Sequence, residues 1–165
     1  MTTSESTAVR KSVVVKATPA RAFEVFTAGF DSWWPREHHL IEDSPLDHVG
    51  IEPGVGGRCY ELTQDGRSCT WGRVLTWDPP HGLSYTWEIQ PDWGIVPPEG
   101  GPASTVTVTF EPVECGTRVR IVHSGLEVHG EGWQSMRDAI DGEQGWNGML
   151  VAYAVQAESA VTEAG

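Results

Sequence analysis

Apolar and polar positions change period twice along this chain, and the changes divide it into three parts. In residues 9–16, Val9, Val13 and Val15 face one way while Arg10, Ser12 and Lys16 face the other, the period-two signature of a strand. Thr18 and Pro19 then read as N-cap and first helical position, where the missing proline N–H costs nothing. Ala22, Phe23 and Phe26 supply the apolar face of a helix ending near Ala28, and Gly29 stops it. Residues 30–35 predict a second, shorter helical turn carrying Trp33 and Trp34.

From Asp47 the period returns to two. Strands are predicted near 47–52, 57–63, 68–77, 82–90, 104–112 and 117–126, separated by Pro53-Gly54, Asp65-Gly66, Asp78-Pro79-Pro80 and Glu114-Cys115-Gly116. Short turns between evenly spaced strands favour an antiparallel meander over parallel βαβ units. Residues 90–103, rich in proline and glycine, read as a long loop, either a lid or a disordered tip. A short helix at 131–139 precedes a long one at 141–161. Trp146, Met149, Leu150, Tyr153, Ala157 and Val161 fall on a single face of the latter. Asp141 to Gln144 resembles a capping box at its entry, and Gly145 and Gly148 would allow close backbone approach to the sheet. The pattern predicts one α+β domain over residues 9–161, with a frayed terminus at 1–8.

Composition narrows the function. A formal charge of -12 argues against nucleic acid and against anionic membrane surfaces. No apolar run is long enough to span a bilayer, and the N-terminus lacks the apolar segment of a secretory signal. Three cysteines, Cys59, Cys69 and Cys115, match no metal spacing and fit reduced thiols in a cytoplasmic protein. No cofactor is implied. Eight tryptophans are more than a core of this size needs, and some are expected to line a pocket.

Strand, two helices, six strands and a long C-terminal helix, read with particular segments, resemble the START-like or helix-grip superfamily of birch-pollen allergens and polyketide cyclases. Within it the chain is similar to the bacterial branch related to the C-terminal domain of the heat-shock ATPase activator. The matching pieces are residues 13–26 with Trp33-Trp34-Pro35, Ile51-Glu52-Pro53 with Gly56-Gly57-Arg58, and Trp71-Gly72-Arg73-Val74 with Pro79-Pro80. Tyr85-Thr86-Trp87, Gly116-Thr117-Arg118-Val119, His123-Ser124-Gly125-Leu126 and Gly145-Trp146 continue the match. The resemblance implies a curved antiparallel sheet of about seven strands gripping the C-terminal helix, with a cavity between. The eukaryotic activator carries an additional N-terminal domain outside this match, so co-chaperone activity is not expected to carry over.

His123 continues the apolar face of Val119 and Ile121 and should point inward, as a core histidine or as a group that orients a ligand or exchanges a proton. Glu52 and Glu61 flank the glycine turn. Each is a carboxylate that either serves as general base or pairs with Arg58 or Arg73. Arg58-Cys59-Tyr60-Glu61 does not reveal which set faces inward. His38, His39, Glu42, Asp43 and His48 look like a metal cluster, but without helical i, i+4 spacing they read as a polar loop, and no metal is expected. The pocket wall is assigned to Trp33, Trp34, Trp71, Trp87, His123, Trp146, Met149 and Tyr153.

Three functions fit. The first is binding of a small apolar or aromatic ligand between sheet and helix. The second is cyclase, dehydratase or hydrolase action on an aromatic or polyketide-like substrate there, with His123 partnered by Glu61 or Glu52. The third is protein interaction through the acidic helix face, tested by charge reversal at Glu143 and Glu158. A homodimer is compatible with each.

Overall fold

The structure, a computed structural model, describes residues 8–34, 46–88, 104–142 and 145–164. Several sequence readings fall outside these residues: the 1–7 terminus, Pro35, the 38–43 cluster, the last two residues of the 82–90 strand, the whole 90–103 loop, Glu143, Gln144 and the Val161 side chain. The elements in chain order are β1 (Val9–Val15), α1 (Pro19–Thr27), α2 (Phe30–Trp33), β2 (Leu46–Ile51), β3 (Arg58–Thr63) and β4 (Ser68–Asp78). After them come β5 (Gly82–Trp87), β6 (Ser104–Val113), β7 (Gly116–Ser124), a 3-10 turn (Leu126–His129), α3 (Trp133–Asp141) and α4 (Trp146–Ala164).

All seven strands join one antiparallel sheet in the order β1-β7-β6-β5-β4-β3-β2. It is a meander from β2 to β7, with β1 added beside β7. The sheet curls into a half-barrel, and α4 packs in its concavity in a helix-grip arrangement. Trp146, Met149, Leu150, Tyr153 and Ala157 of α4 are buried while Val151 and Val155 are exposed, the division that the three- and four-residue spacing predicts. Tyr153 Oη donates to the Ala22 carbonyl at 2.7 Å and so ties α4 to α1. At the start of α1, Thr18 Oγ1 accepts from the Arg21 N–H at 3.2 Å, the expected cap.

Four local readings are corrected. The 141–144 capping box is not the entry of the last helix: Asp141 closes α3, Gly142 caps it, and α4 begins at Trp146. Gly145 does permit a close approach, to the Ile140 carbonyl and not to the sheet, since an added Cβ would lie 2.1 Å from that oxygen. β7 stops at Ser124, short of residue 126, because Gly125 takes φ +79° and reverses the chain into the 3-10 turn. His48, which falls both in the predicted 47–52 strand and in the cluster read as a polar loop, lies in β2 as the strand reading has it, with its ring against Asp47 and Tyr60.

Candidate functional site

Inward positions of β5, β6 and β7 line the concave face of the sheet. Leu83, Tyr85 and Trp87 alternate on β5, and all three are buried. The register sets Val74, Tyr85, Val106, His123 and Val9 in one row across five strands, with Trp87 facing Ser104 in the next. His123 is fully buried, as its place after Val119 and Ile121 predicts. Its imidazole lies edge-on to Trp87, ring centroids 5.0 Å apart.

Aromatic side chains from the helices complete the surroundings. Trp34 stacks on Phe30 at 4.9 Å and on Trp71 at 5.8 Å, and Trp71 meets Trp87 at 5.7 Å and Tyr85 at 5.9 Å. Trp33 packs against Tyr153 at 5.6 Å and donates its indole N–H to the Val25 carbonyl. An unbroken chain of rings therefore runs from α2 through β4 and β5 to His123. Each such pair contributes about 0.5–1.5 kcal/mol beyond area burial. Trp71 reaches this chain through a bulge. Cys59 pairs with Gly72 and Tyr60 with Thr70, so Trp71 is the extra residue, and both Trp71 and Gly72 are buried.

The eight proposed wall residues, Trp33, Trp34, Trp71, Trp87, His123, Trp146, Met149 and Tyr153, are all buried. Ring contacts link Trp33, Trp34, Trp71, Trp87, His123 and Tyr153; Trp146 and Met149 open the buried stripe of α4. The two glutamates are separated. Cys59, Glu61 and Thr63 form the inward set of β3, which places Glu61 inside. Glu52 lies at the surface, where its carboxylate accepts from the Arg58 backbone N–H at 3.0 Å and from the guanidinium at 3.1 and 3.2 Å. These bonds, the backbone one first, hold its pKa below the usual carboxylate range. Burial, with a smaller push from Glu88, drives the Cys59 thiol well above its ordinary range, which suits a packing residue and not a nucleophile. Among the described residues no group of three or more His, Cys, Asp or Glu side chains could hold a metal ion. Glu158 accepts from the Lys16 backbone N–H at 3.1 Å, so at this position the acidic helix face is engaged with the residue that follows β1.

Two residues at the site are not among the candidates named from the sequence, although Ser104 continues the inward face of Val106, Val108 and Phe110. Ser104 Oγ lies 2.8 Å from His123 Nε2 and 2.8 Å from His129 Nε2. Ser104 opens β6, and His129 is brought beneath it by the reversal at Gly125. His123 is held neutral: burial, and then the proximity of His129, pushes its pKa down to about 3. Burial lowers His129 as well. Four buried polar atoms have no protein partner among the described residues: Tyr85 Oη, Trp87 Nε1, His123 Nδ1 and Trp146 Nε1. Each orphaned group carries a desolvation cost of roughly 1–3 kcal/mol. Three of the four belong to adjoining rows of the same wall.

No curated protein matches the chain. Among solved structures it is similar to an anthrahydroquino-gamma-pyrone synthase, Txn09, at 42% identity and TM-score 0.62, covering 89% of this chain and 94% of that one. It is also similar to the self-sacrificing resistance protein CalC from Micromonospora echinospora, at 30% identity and TM-score 0.64, covering 93% and 95%. The Aha1 dimer from Colwellia psychrerythraea aligns with TM-score 0.61 over 92% and 96% at 16% identity, a likeness of fold. Residues 16–152 match the model of the Activator of Hsp90 ATPase homolog 1-like proteins, and the chain belongs to that family.

Proposed function

We propose that this protein binds a planar aromatic polyketide between its sheet and α4 and closes an oxygen-containing ring on it. One observation carries the reading. Buried hydrogen-bonding atoms at Tyr85, Trp87, His123 and Trp146 lack protein partners among the described residues, the first three of them along the chain of aromatic rings. An apolar lining with a few convergent polar groups is the composition of a ligand site, and flat ring faces suit a fused aromatic ligand. The similarity to a gamma-pyrone synthase at 42% identity supports the enzyme over a passive carrier.

The chemistry matches the residues available. A gamma-pyrone forms when a phenol oxygen adds to a side-chain carbonyl carbon and the former carbonyl oxygen departs as water. One C–O bond forms, the bonds of the former carbonyl and one C–H bond of the adjacent methylene break as the ring C=C forms, and no electrons are exchanged with a redox partner. The phenol and the methylene must each lose a proton, and the departing oxygen must gain both. A neutral imidazole can take part in both events, because one ring nitrogen is a donor and the other an acceptor. His123 is therefore assigned to proton exchange at the reacting oxygens, with Tyr85 Oη and Trp87 Nε1 orienting them. Of the two candidate carboxylates Glu61 is the buried one, and Glu52 takes no part.

The test is incubation with a hydroxyanthraquinone carrying an ortho 1,3-dicarbonyl chain, followed by mass spectrometry for loss of one water and by tryptophan fluorescence for binding. Turnover that His123→Gln abolishes, with quenching retained, is the expected result. Saturable quenching without turnover by the wild-type protein would reduce the function to ligand binding. Neither quenching nor turnover would refute the site.

A further inference from the structure

Ser104 stands between two imidazoles, at hydrogen-bonding distance from both Nε2 atoms. A serine hydroxyl has a single proton to donate. One Nε2 must therefore accept from Ser104 while the other donates to it. This ties the tautomers of the two histidines together in opposite senses. When His123 carries its proton on Nε2, His129 carries its own on Nδ1, and the converse arrangement reverses both. In the first arrangement the lone pair of His123 Nδ1, which has no protein partner among the described residues, is free to accept a proton.

We propose that Ser104 and His129 act with His123 as a proton relay, which carries a proton accepted at His123 Nδ1 out to His129 and returns it. The need for a relay rests on the cyclase reading above. The linkage of the three side chains rests on their geometry alone. In the forward direction the phenol proton passes to His123 Nδ1, the His123 Nε2 proton passes to Ser104 Oγ, and the Ser104 proton passes to His129 Nε2. His123 and Ser104 finish neutral, with the His123 tautomer exchanged, and His129 holds the positive charge with both nitrogens protonated. The reverse transfer delivers that proton to the former carbonyl oxygen, which leaves as water together with the proton lost from the adjacent methylene, and restores the starting tautomers.

Solvation gives the transfer its direction. His123 has no exposed surface and sits against an indole, whereas His129, in the 3-10 turn, keeps 7% of its surface exposed. A charge is more costly in the more enclosed place. Moving it two hydrogen bonds outward lets a deeply buried group accept a proton without retaining the charge. Ser104 is thus a relay residue that need not touch the substrate; alternation with Val106, Val108 and Phe110 sets it on the inward face of β6, whereas His129, in the 3-10 turn, lies beyond any strand pattern.

Two measurements on the full chain test this. Long-range ¹H–¹⁵N correlation spectra of the ligand-free protein assign the tautomer of each histidine. Opposite tautomers are expected at His123 and His129, with that correlation lost in Ser104→Ala. The same tautomer at both in the wild-type protein would overturn the relay, whatever the turnover assay gives, and needs no variant to fold. In the cyclisation assay, Ser104→Ala should lower kcat by about 100-fold, the lower end of general acid–base contributions, with KM little changed. Ser104→Thr, which keeps the hydroxyl, should recover most of that loss. An unchanged kcat in Ser104→Ala would also overturn the proposal. Opposite tautomers in a protein that turns nothing over would support the linkage while removing the cyclase reading, so the two failures are distinguishable.

Discussion

Acidification should destabilise this protein through His123, by an amount that one comparison isolates. In the folded chain, burial and the neighbouring His129 set the imidazole pKa at about 3. In the unfolded chain it returns to the ordinary value of about 6.5. Between those limits the unfolded state binds the extra proton, so stability rises with pH and falls as the solution is acidified. The contribution is fully present above about pH 6.5 and is lost at about 1.4 kcal/mol per unit down to about pH 3. Between about pH 7 and pH 5 the loss integrates to about 2 kcal/mol, a large part of the 5–15 kcal/mol typical of a domain. The assay is urea unfolding followed by tryptophan emission at a series of pH values, for the wild type and for His123→Gln. Glutamine does not titrate, and the other ionisable groups remain in both proteins. The wild type should lose about 2 kcal/mol more than the variant over that interval, whatever their stabilities at neutral pH. Equal pH slopes would refute the picture of a buried neutral imidazole.

Four further outcomes follow from the packing. Trp71→Ala removes the ring between Trp34 and Trp87 and should cost about 3–5 kcal/mol in chemical unfolding; a loss under about 1 would mean that the stack is not rigid. Gly72→Ala sets a Cβ 2.2 Å from the Thr86 carbonyl oxygen, which forces β4 from β5, and should lower stability by about 1–3 kcal/mol in a thermal melt. An unchanged melting temperature would contradict that strand spacing. Tyr153→Phe deletes the bond to the Ala22 carbonyl and should cost about 1 kcal/mol by urea titration, with no effect expected if the hydroxyl were solvated. Glu52→Gln should leave binding and turnover intact, and a loss of turnover would return Glu52 to the site.

Much of this architecture was legible from periodicity, since alternation and the 3.6-residue repeat are imposed by the geometry of the elements themselves. The stripe on α4, the inward side of β5 and the burial of His123 followed from spacing alone, because one register satisfies each buried face. Motif resemblance supplied what periodicity does not, the grip of the sheet on the helix. It could not separate a synthase from a carrier.

Other features belong to the tertiary structure. Strict alternation in β4 would put Trp71 on the same face as Arg73, yet a bulge turns Trp71 inward and leaves Arg73 exposed. Ambiguity at Arg58-Cys59-Tyr60-Glu61 is resolved by the packing of β3, whose Cys59, Glu61 and Thr63 are buried together. Most plainly, Ser104, His123 and His129 meet only because β6 lies beside β7 and Gly125 turns the chain back beneath them. Local sequence records which face a residue occupies, since that depends on neighbours two to four positions away. It records little of which residues from distant segments come within 3 Å, because that depends on strand order, bulges and chain reversals acting together.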